Sequence, residues 1–447
     1  MKNSYILILA IIILFYSLLY GFNEPDNLCI LISILSLLNF LTELGKTIAI
    51  RSLTLLIATI QWILGPYLSY NFLDSFDYYF MPVPQKDYFA LAIPGILLFA
   101  IGLYTIKDHY LNENRIFLNL KAYLKDKHSL GLYLIFFGVI LTYIGPLFPT
   151  ALAFFFYLLA NLKYIGAFYL LFSERRDKFI YIGGVLIILV LDAFAFTMFH
   201  DLLLWLGFLF LLFALSYRPS VLTKFLIVCM GGLLAFGLQA IKGDYRNAVW
   251  GGLVTEDITK VDVLESSFSK RISEQGLFSE RNNKHFIYRI NQGWIVGHTM
   301  LHTPSKEPFA NGETITNGLV ATLLPRFIAA DKATSGGREY FEKYTGLLLV
   351  KGTSMDLSPL GEAYANFATI GGAIFMFILG LFYALVLSLI SKWSIATPSL
   401  ILWIPLIFQQ AIKAESDITT GLNHITKASL VVFLVYWISN KIFNTKL

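Results

Sequence analysis

Cysteine is nearly missing from this chain: Cys29 and Cys229 are its only two. Both fall inside apolar runs, so no disulfide framework is expected to hold the fold. Charge is scarce as well. Lys, Arg, Asp and Glu make up 14% of the 447 residues against 57% hydrophobic residues, a balance that a water-soluble core cannot absorb. The formal net charge of +5 is spread over many short segments, which excludes the dense basic face of a nucleic-acid binder. No internal repeat and no low-complexity tract stands out. No small-residue cleavage site separates the first apolar run from Asn23, Glu24 and Pro25, so that run reads as a retained signal anchor.

In place of these features the chain has apolar runs, most of them long enough as helices rising about 1.5 Å per residue to cross about 30 Å of hydrocarbon. In lipid each backbone N–H and C=O must be paired within its own segment, which makes these runs helices. Twelve are expected, over residues 4–20, 28–44, 53–70, 88–106, 130–147, 150–172, 179–199, 202–217, 225–241, 367–390, 398–412 and 429–442. With the N-terminus inside, sixteen Lys or Arg fall in cytoplasmic segments, and the short outer loops hold only Lys86, Lys413 and Lys427. That asymmetry is the one the positive-inside rule describes.

The expected fold class is therefore an all-α, polytopic integral membrane protein with both termini cytoplasmic. Nine spans lie in residues 1–241, one large outer loop occupies 242–366 between spans nine and ten, and three more spans lie in 367–447. The loop carries fourteen Lys or Arg, which long loops tolerate on either side of a membrane. Residues 107–129 read as a short amphipathic surface helix.

Chemistry-bearing residues concentrate in the large loop. The stretch Arg281 to Leu301 has helical periodicity that puts Arg281, His285, Tyr288, Arg289 and Gln292 on one face and Phe286, Ile287, Ile290, Trp294 and Leu301 on the other. A guanidinium fork binds two oxygens at once and keeps its charge, which suits a diphosphate; an ordinary solvated face would look the same. Arg326, Lys332 and Arg338 gather within thirteen residues around Pro325 and the pair Gly336-Gly337, a tight turn able to present N–H groups to an anion. Ser358-Pro359 opens a helix that carries Glu362 in its first turn, where a carboxylate either complements the helix dipole or serves a sugar hydroxyl. Lys242 and Arg246 share a face at the exit of span nine, suited to phosphate or to lipid headgroups.

His298 and His302 have the spacing of a helical metal pair, but no third ligand can be named, and no metal or other cofactor is expected. His298 is a second candidate general base, with a purely structural role as the plainer reading. Within the membrane, Lys163 and Asp192 fall at similar depth and are expected to pair or to hydrate a cavity. His200 and Asp201, at the outer turn between spans seven and eight, either join the site or face water.

Leu323-Leu324-Pro325-Arg326-Phe327 with Asp331-Lys332, followed by Ser358-Pro359-Leu360-Gly361-Glu362-Ala363-Tyr364-Ala365-Asn366-Phe367 and Gly371-Gly372, resembles the Wzy-type oligosaccharide repeat-unit polymerases. The likeness covers roughly residues 242–380; Ala333 stands where many members of that family have proline after the lysine. The resemblance implies a membrane glycosyltransferase of the bacterial inner membrane. Such an enzyme moves a growing glycan from undecaprenyl diphosphate onto the next lipid-linked repeat unit in O-antigen, capsule or exopolysaccharide synthesis. It implies a diphosphate clamp of Arg326, Lys332, Arg289 and Arg281, with Arg246 and Arg338 behind them, and Glu362 then His298 as acceptor-orienting groups or bases. The implied partners are the lipid-linked oligosaccharide, membrane lipids, a flippase and a chain-length regulator. A polysaccharide ligase using the same clamp, or a twelve-helix lipid-oligosaccharide transporter, are the competing readings; two related halves and a long cytoplasmic central loop would favour the transporter.

Overall fold

The computed structural model describes residues 2–20, 25–106, 114–149, 152–195, 197, 199–251, 259–276, 278–323, 337–350, 353–442 and 444–447. The first group of helices is α1 (Lys2–Tyr20), α2 (Asp26–Glu43), α3 (Ile50–Thr59), α4 (Gly65–Phe72), α5 (Gln85–Thr105), α6 (Asn114–Leu124) and α7 (His128–Ile144). Next come α8 (Ala153–Ala160), α9 (Leu162–Phe172), α10 (Lys178–Ala195), α11 (Phe199–Tyr217) and α12 (Val221–Trp250). Then, among the described residues, come α13 (Lys260–Gln275), α14 (Glu280–Ile290), α15 (Gly293–His302), α16 (Glu313–Leu323) and α17 (Arg338–Thr345). The chain closes with α18 (Ser358–Trp393), α19 (Ile404–Phe408) and α20 (Ile418–Lys441).

Ten helices among the described residues are long and apolar enough to cross a membrane, which makes this an all-helical polytopic membrane protein. Two of the twelve expected runs hold only shorter apolar helices, Ile8–Ser17 and Pro398–Phe408. The second departs from a regular span because Pro398 and Pro405 break the α-helical ladder. It winds as a 3₁₀ turn, Pro398–Trp403, before α19. Trp403, Ile404 and Leu406 are fully buried, so this irregular backbone is shielded by protein instead of meeting lipid. A 3₁₀ turn rises about 2 Å per residue, so few residues cover much depth. Ser399 sits beside the C-terminal Leu447, while Lys413, past α19, pairs with Asp201.

The two ends of the bundle carry different groups. At one end Arg51 donates to the Ile106 carbonyl, Tyr123 donates to that of Leu447 and Lys178 to that of Ser173. At the other end Gln85 bonds Asp26, Tyr288 bonds Asp77 and Arg289 bonds Glu415.

Helices α5 and α18 pack closest at a pair of glycines. A Cβ on Gly102 would lie 2.3 Å from the Phe377 carbonyl oxygen, and one on Gly380 would lie 2.4 Å from that of Phe99. Small residues let two backbones touch where lipid supplies no hydrophobic drive for association. The intramembrane cation is paired as expected: Lys163 Nζ is 3.3 Å from Asp192 Oδ2 and 3.0 Å from the Thr142 hydroxyl.

Candidate functional site

The periodic stretch from Arg281 to Leu301 is two helices, not one. Asn291 leaves helical geometry (φ −88°, ψ 80°), and its carboxamide oxygen accepts the Trp294 N–H at 3.2 Å, capping α15. Gln292 N–H meanwhile donates to the Gln61 carbonyl at 3.1 Å, fastening the break to α3 and α4. The seat is tight, since a Cβ on Gly65 would lie 2.3 Å from the Ile290 carbonyl oxygen. Trp294 and Leu301 therefore do not continue the apolar face of Phe286 and Ile287. A tertiary hydrogen bond outcompetes local periodicity at this point.

The break aims the last turn of α14 at the loop between α19 and α20. Arg289 Nη1 and Nη2 donate to the Glu415 carboxylate at 2.6 and 3.0 Å, a bidentate pair. His200 Nδ1 lies 3.4 Å from Glu415 Oε1, and Lys413 lies 3.8 Å from Asp201. Burial pushes the Glu415 carboxyl up, but Arg289, His200 and Lys413 override it and hold it at about 2. Burial likewise depresses the Lys413 ammonium, with Asp201 and Glu415 opposing.

Arg246 comes to the same place: its Nε donates to the Thr197 carbonyl at 3.0 Å, and it lies within electrostatic reach of Arg289. Lys242, one turn back on α12, feels Arg289 and Arg246 as repulsive neighbours and Glu415 as an attractive one. Among the described residues the half-buried Lys242 ammonium has no hydrogen-bonded or ion-paired partner. Arg289, Arg246, Lys242, His200 and Asp201 thus converge from three parts of the chain. A groove of about 440 Å³ lies between α4, α12 and α14; Leu68, Phe72, Phe236, Phe286 and Ile287 line it together with Glu280, Asn283 and Lys284.

Other expected residues fall elsewhere. Arg281 is exposed on the first turn of α14, in a polar groove of about 440 Å³ with Lys284, His285 and Tyr288. Lys284 there is 3.1 Å from Asp77, which also accepts the Tyr288 hydroxyl at 2.6 Å. Arg338 is taken up by Glu342 at 3.0 Å and by the Leu349 carbonyl at 2.5 Å, bracing the chain beyond α17. Half-buried His298 stacks edge-to-face on Trp294 at 4.6 Å, and burial lowers its pKa. Arg326 and Lys332 lie outside the described residues.

Glu362 is 1% exposed, and both its oxygens are engaged. Oε1 accepts the Thr314 hydroxyl and Oε2 the Ile418 N–H, each at 2.7 Å. Asn366, one turn on, donates to Thr314 at 2.7 Å and accepts the Gly312 N–H at 2.9 Å. The Gly-Glu-x-Tyr-x-Asn segment thus ties α16 and the start of α20 to α18. The expected serine cap takes another form: Ser358 has φ of 66°, and its hydroxyl accepts the Trp62 indole N–H at 2.9 Å. Nor does this helix run straight on, because Ala368 (φ 57°, ψ −164°) breaks it, and Gly372 then packs on the Ala363 backbone.

Beside this anchor stands a group that sequence reasoning passed over. One Asp356 oxygen is the acceptor for the Asp417 N–H at 3.4 Å, while the other, Oδ1, is buried and has no hydrogen-bond partner among the described residues. Burial, with Asp417 next, pushes the Asp356 carboxyl up to about 7. Gly337 permits the close approach, since a Cβ there would lie 2.2 Å from Asp356 Oδ1. The sequence signal for Glu415 and Asp417 was Lys413-Ala-Glu-Ser-Asp417, three charges in five residues between apolar runs. Among the described residues no three His, Cys, Asp or Glu side chains gather as metal ligands.

Comparison with models of protein families, with curated proteins and with solved structures finds no match for this chain. Fold and geometry define a class: a polytopic helical membrane protein whose charged groups, cationic in surplus around Lys242, meet at one end of the bundle.

Proposed function

We propose that this chain is an oligosaccharide repeat-unit polymerase, a bacterial inner-membrane glycosyltransferase that uses a polyprenyl-diphosphate-linked donor. The observation that carries this reading is the half-buried Lys242 ammonium, which has Arg289 and Arg246 as repulsive neighbours, Glu415 as an attractive one, and among the described residues no ion-paired carboxylate. Crowding like charges away from water is costly, and an anion seated among them removes the cost. The groove between α4, α12 and α14, with Leu68, Phe72, Phe236 and Phe286 in its wall, suits the isoprenoid tail of such an anion.

In the reaction, an acceptor sugar hydroxyl oxygen forms a bond to the donor's anomeric carbon while the bond from that carbon to the diphosphate oxygen breaks. The bonding pair leaves with undecaprenyl diphosphate, and the hydroxyl proton passes to a base. Lys242 and Arg246 stabilise the charge developing on the leaving group, with Arg289 held beside them by Glu415. Arg326 and Lys332 belong to this clamp on the strength of the sequence resemblance alone. Asp356 fits the base, having an oxygen with no partner among the described residues and a pKa of about 7, close to the ideal for proton transfer at neutral pH. Glu362 then acts by holding the surrounding helices and not by touching substrate, and His298 remains the second candidate base.

The test is purified protein in liposomes with a synthetic undecaprenyl-diphosphate repeat unit, analysed for chain length. A ladder of products is expected, and Lys242→Gln should cut its yield about tenfold or more while leaving thermal stability equal or higher, as loss of one charge-assisted contact does. Transfer of a single glycan to another acceptor would identify a ligase. Movement across the bilayer with no new glycosidic bond would identify a transporter and overturn the proposal.

A further inference from the structure

A second cavity, of about 320 Å³, opens at the end of the bundle remote from Arg289, between α1, α2, α3 and α5. Most of its wall is apolar, with Ala10, Ile13, Leu35 and Ile96 among the lining side chains. Polar atoms enter that wall along one stripe of α2, where Ser36, Asn39 and Glu43 recur at helical spacing, and at Thr59, the last residue of α3.

The Ser36 and Thr59 hydroxyls are buried and have no hydrogen-bond partner among the described residues. Nearby hydroxyls behave otherwise: Ser33 donates to the Cys29 carbonyl at 2.7 Å and Thr54 to that of Ile50 at 2.8 Å. Helical Ser and Thr commonly close such a bond one turn back, and a buried hydroxyl that does not is costly. Two of them in one cavity point to an acceptor from outside the chain. Thr59 also directly precedes a π-helical turn, Ile60–Leu64, of the kind that often marks functional sites in helices. Asn39 donates its amide N–H to the Tyr104 hydroxyl at 2.8 Å, which leaves its carboxamide oxygen as an acceptor. Glu43 is the one charged residue among the described lining residues, and it is already engaged, being hydrogen-bonded with Tyr104. The wall therefore offers two donors, one acceptor and no free charge of either sign.

We infer that this cavity binds an uncharged glyceride with a free hydroxyl, of the diacylglycerol class. An ester carbonyl of the lipid accepts from Ser36 and Thr59, and its glycerol hydroxyl donates to the Asn39 carboxamide oxygen. Three residues of helix separate Ser36 from Asn39, a rise of about 4.5 Å. This matches the separation of the free hydroxyl from the nearest ester carbonyl in such a lipid. A phospholipid or a fatty acid fits less well, because its phosphate or carboxylate would enter a wall that holds no cation. One acyl chain occupies the apolar part of the cavity, and the other lies along the lipid-facing side of α1, where Ile8 and Ile12 are exposed. The site does not depend on the proposed glycosyl transfer, because it sits on different helices at the opposite end of the bundle.

Full-length protein purified in detergent with equal dioleoylglycerol and dioleoylphosphatidylglycerol, then examined by native mass spectrometry, tests this. The wild type is expected to retain dioleoylglycerol over the phospholipid by about tenfold, the ratio that one or two buried hydrogen bonds give. Ser36→Ala and Thr59→Val should each lower dioleoylglycerol retention about fivefold and leave the phospholipid, bound elsewhere on the lipid-facing surface, unchanged. Ala10→Phe, which fills the cavity from α1, should remove the preference. Retention of neither lipid, or of the phospholipid as strongly as the glyceride, by the wild type would overturn the inference. So would undiminished dioleoylglycerol in either hydroxyl variant, changes mild enough to read even if Ala10→Phe fails to fold.

Discussion

Arg289 and Glu415 stand 126 residues apart in the chain and are joined by two hydrogen bonds at the end of α14. The pair fixes the loop between α19 and α20 against the helices that follow α12. It also neutralises one of the cations around Lys242, which itself has no direct partner among the described residues. The electrostatic character of this end of the bundle follows from that allocation.

The pair makes stability pH-dependent with a defined sign. Glu415 titrates at about 2 in the folded protein against an ordinary 4.5, so its stabilisation is complete above about 4.5 and is lost as pH falls toward 2. Arg289 is a third exposed and Glu415 about a fifth, so solvent screening limits the effect to about 1–3 kcal/mol. Thermal melts in detergent across this range should show the wild-type Tm falling with acid and Glu415→Gln starting lower with a flatter profile. Parallel profiles would remove the pair as a stabilising contact.

Asp356 has the opposite sign. Its folded pKa of about 7 lies above the ordinary 3.8, so the native state holds the proton more tightly and stability declines as pH rises from about 4 to 7. Asp356→Asn should therefore raise Tm at pH 8 more than at pH 4, while abolishing polymer formation if this carboxylate is the base. A variant that is stabilised and still fully active would assign the carboxylate no part in proton transfer.

Glu362 separates an anchoring role from a chemical one. Removing it in Glu362→Ala leaves the Ile418 N–H and the Thr314 hydroxyl short of an acceptor, at a cost of about 2–5 kcal/mol. Thr314→Val should lower Tm in the same direction, and both variants should lose polymer in proportion to folded protein. Glu362→Gln with wild-type Tm and no polymer would instead assign the carboxylate to the reaction.

Lys163 and Asp192 provide a double-mutant test within the membrane. Either alanine variant strands one charge in low dielectric, so each should be less stable than the double variant. Additive losses would show that the two groups do not interact.

Much of the architecture was legible because lipid imposes it: backbone groups must pair within each segment, so hydropathy alone marked the helices. The depth match of Lys163 with Asp192 followed from helical rise, and Lys242 with Arg246 from helical spacing. Where side chains or backbone answer to distant partners, the pattern misled. Asn291 and Gln292 break α14 from α15 because Gln61 accepts a hydrogen bond there, and no local preference records that. Residues 398–412 look like a span, yet two prolines and nearly complete burial turn them into an irregular core segment.

By itself the sequence determined that the chain is a helical bundle with scarce charge, because runs of apolar residues have one stable answer in hydrocarbon. Tertiary structure decided which of those charges meet. Arg289 finds Glu415, Glu362 is buried by α16 and α20, and Arg338 is drawn to Glu342. Pairing energy depends on distance and on the water excluded around each group, and folding alone sets both.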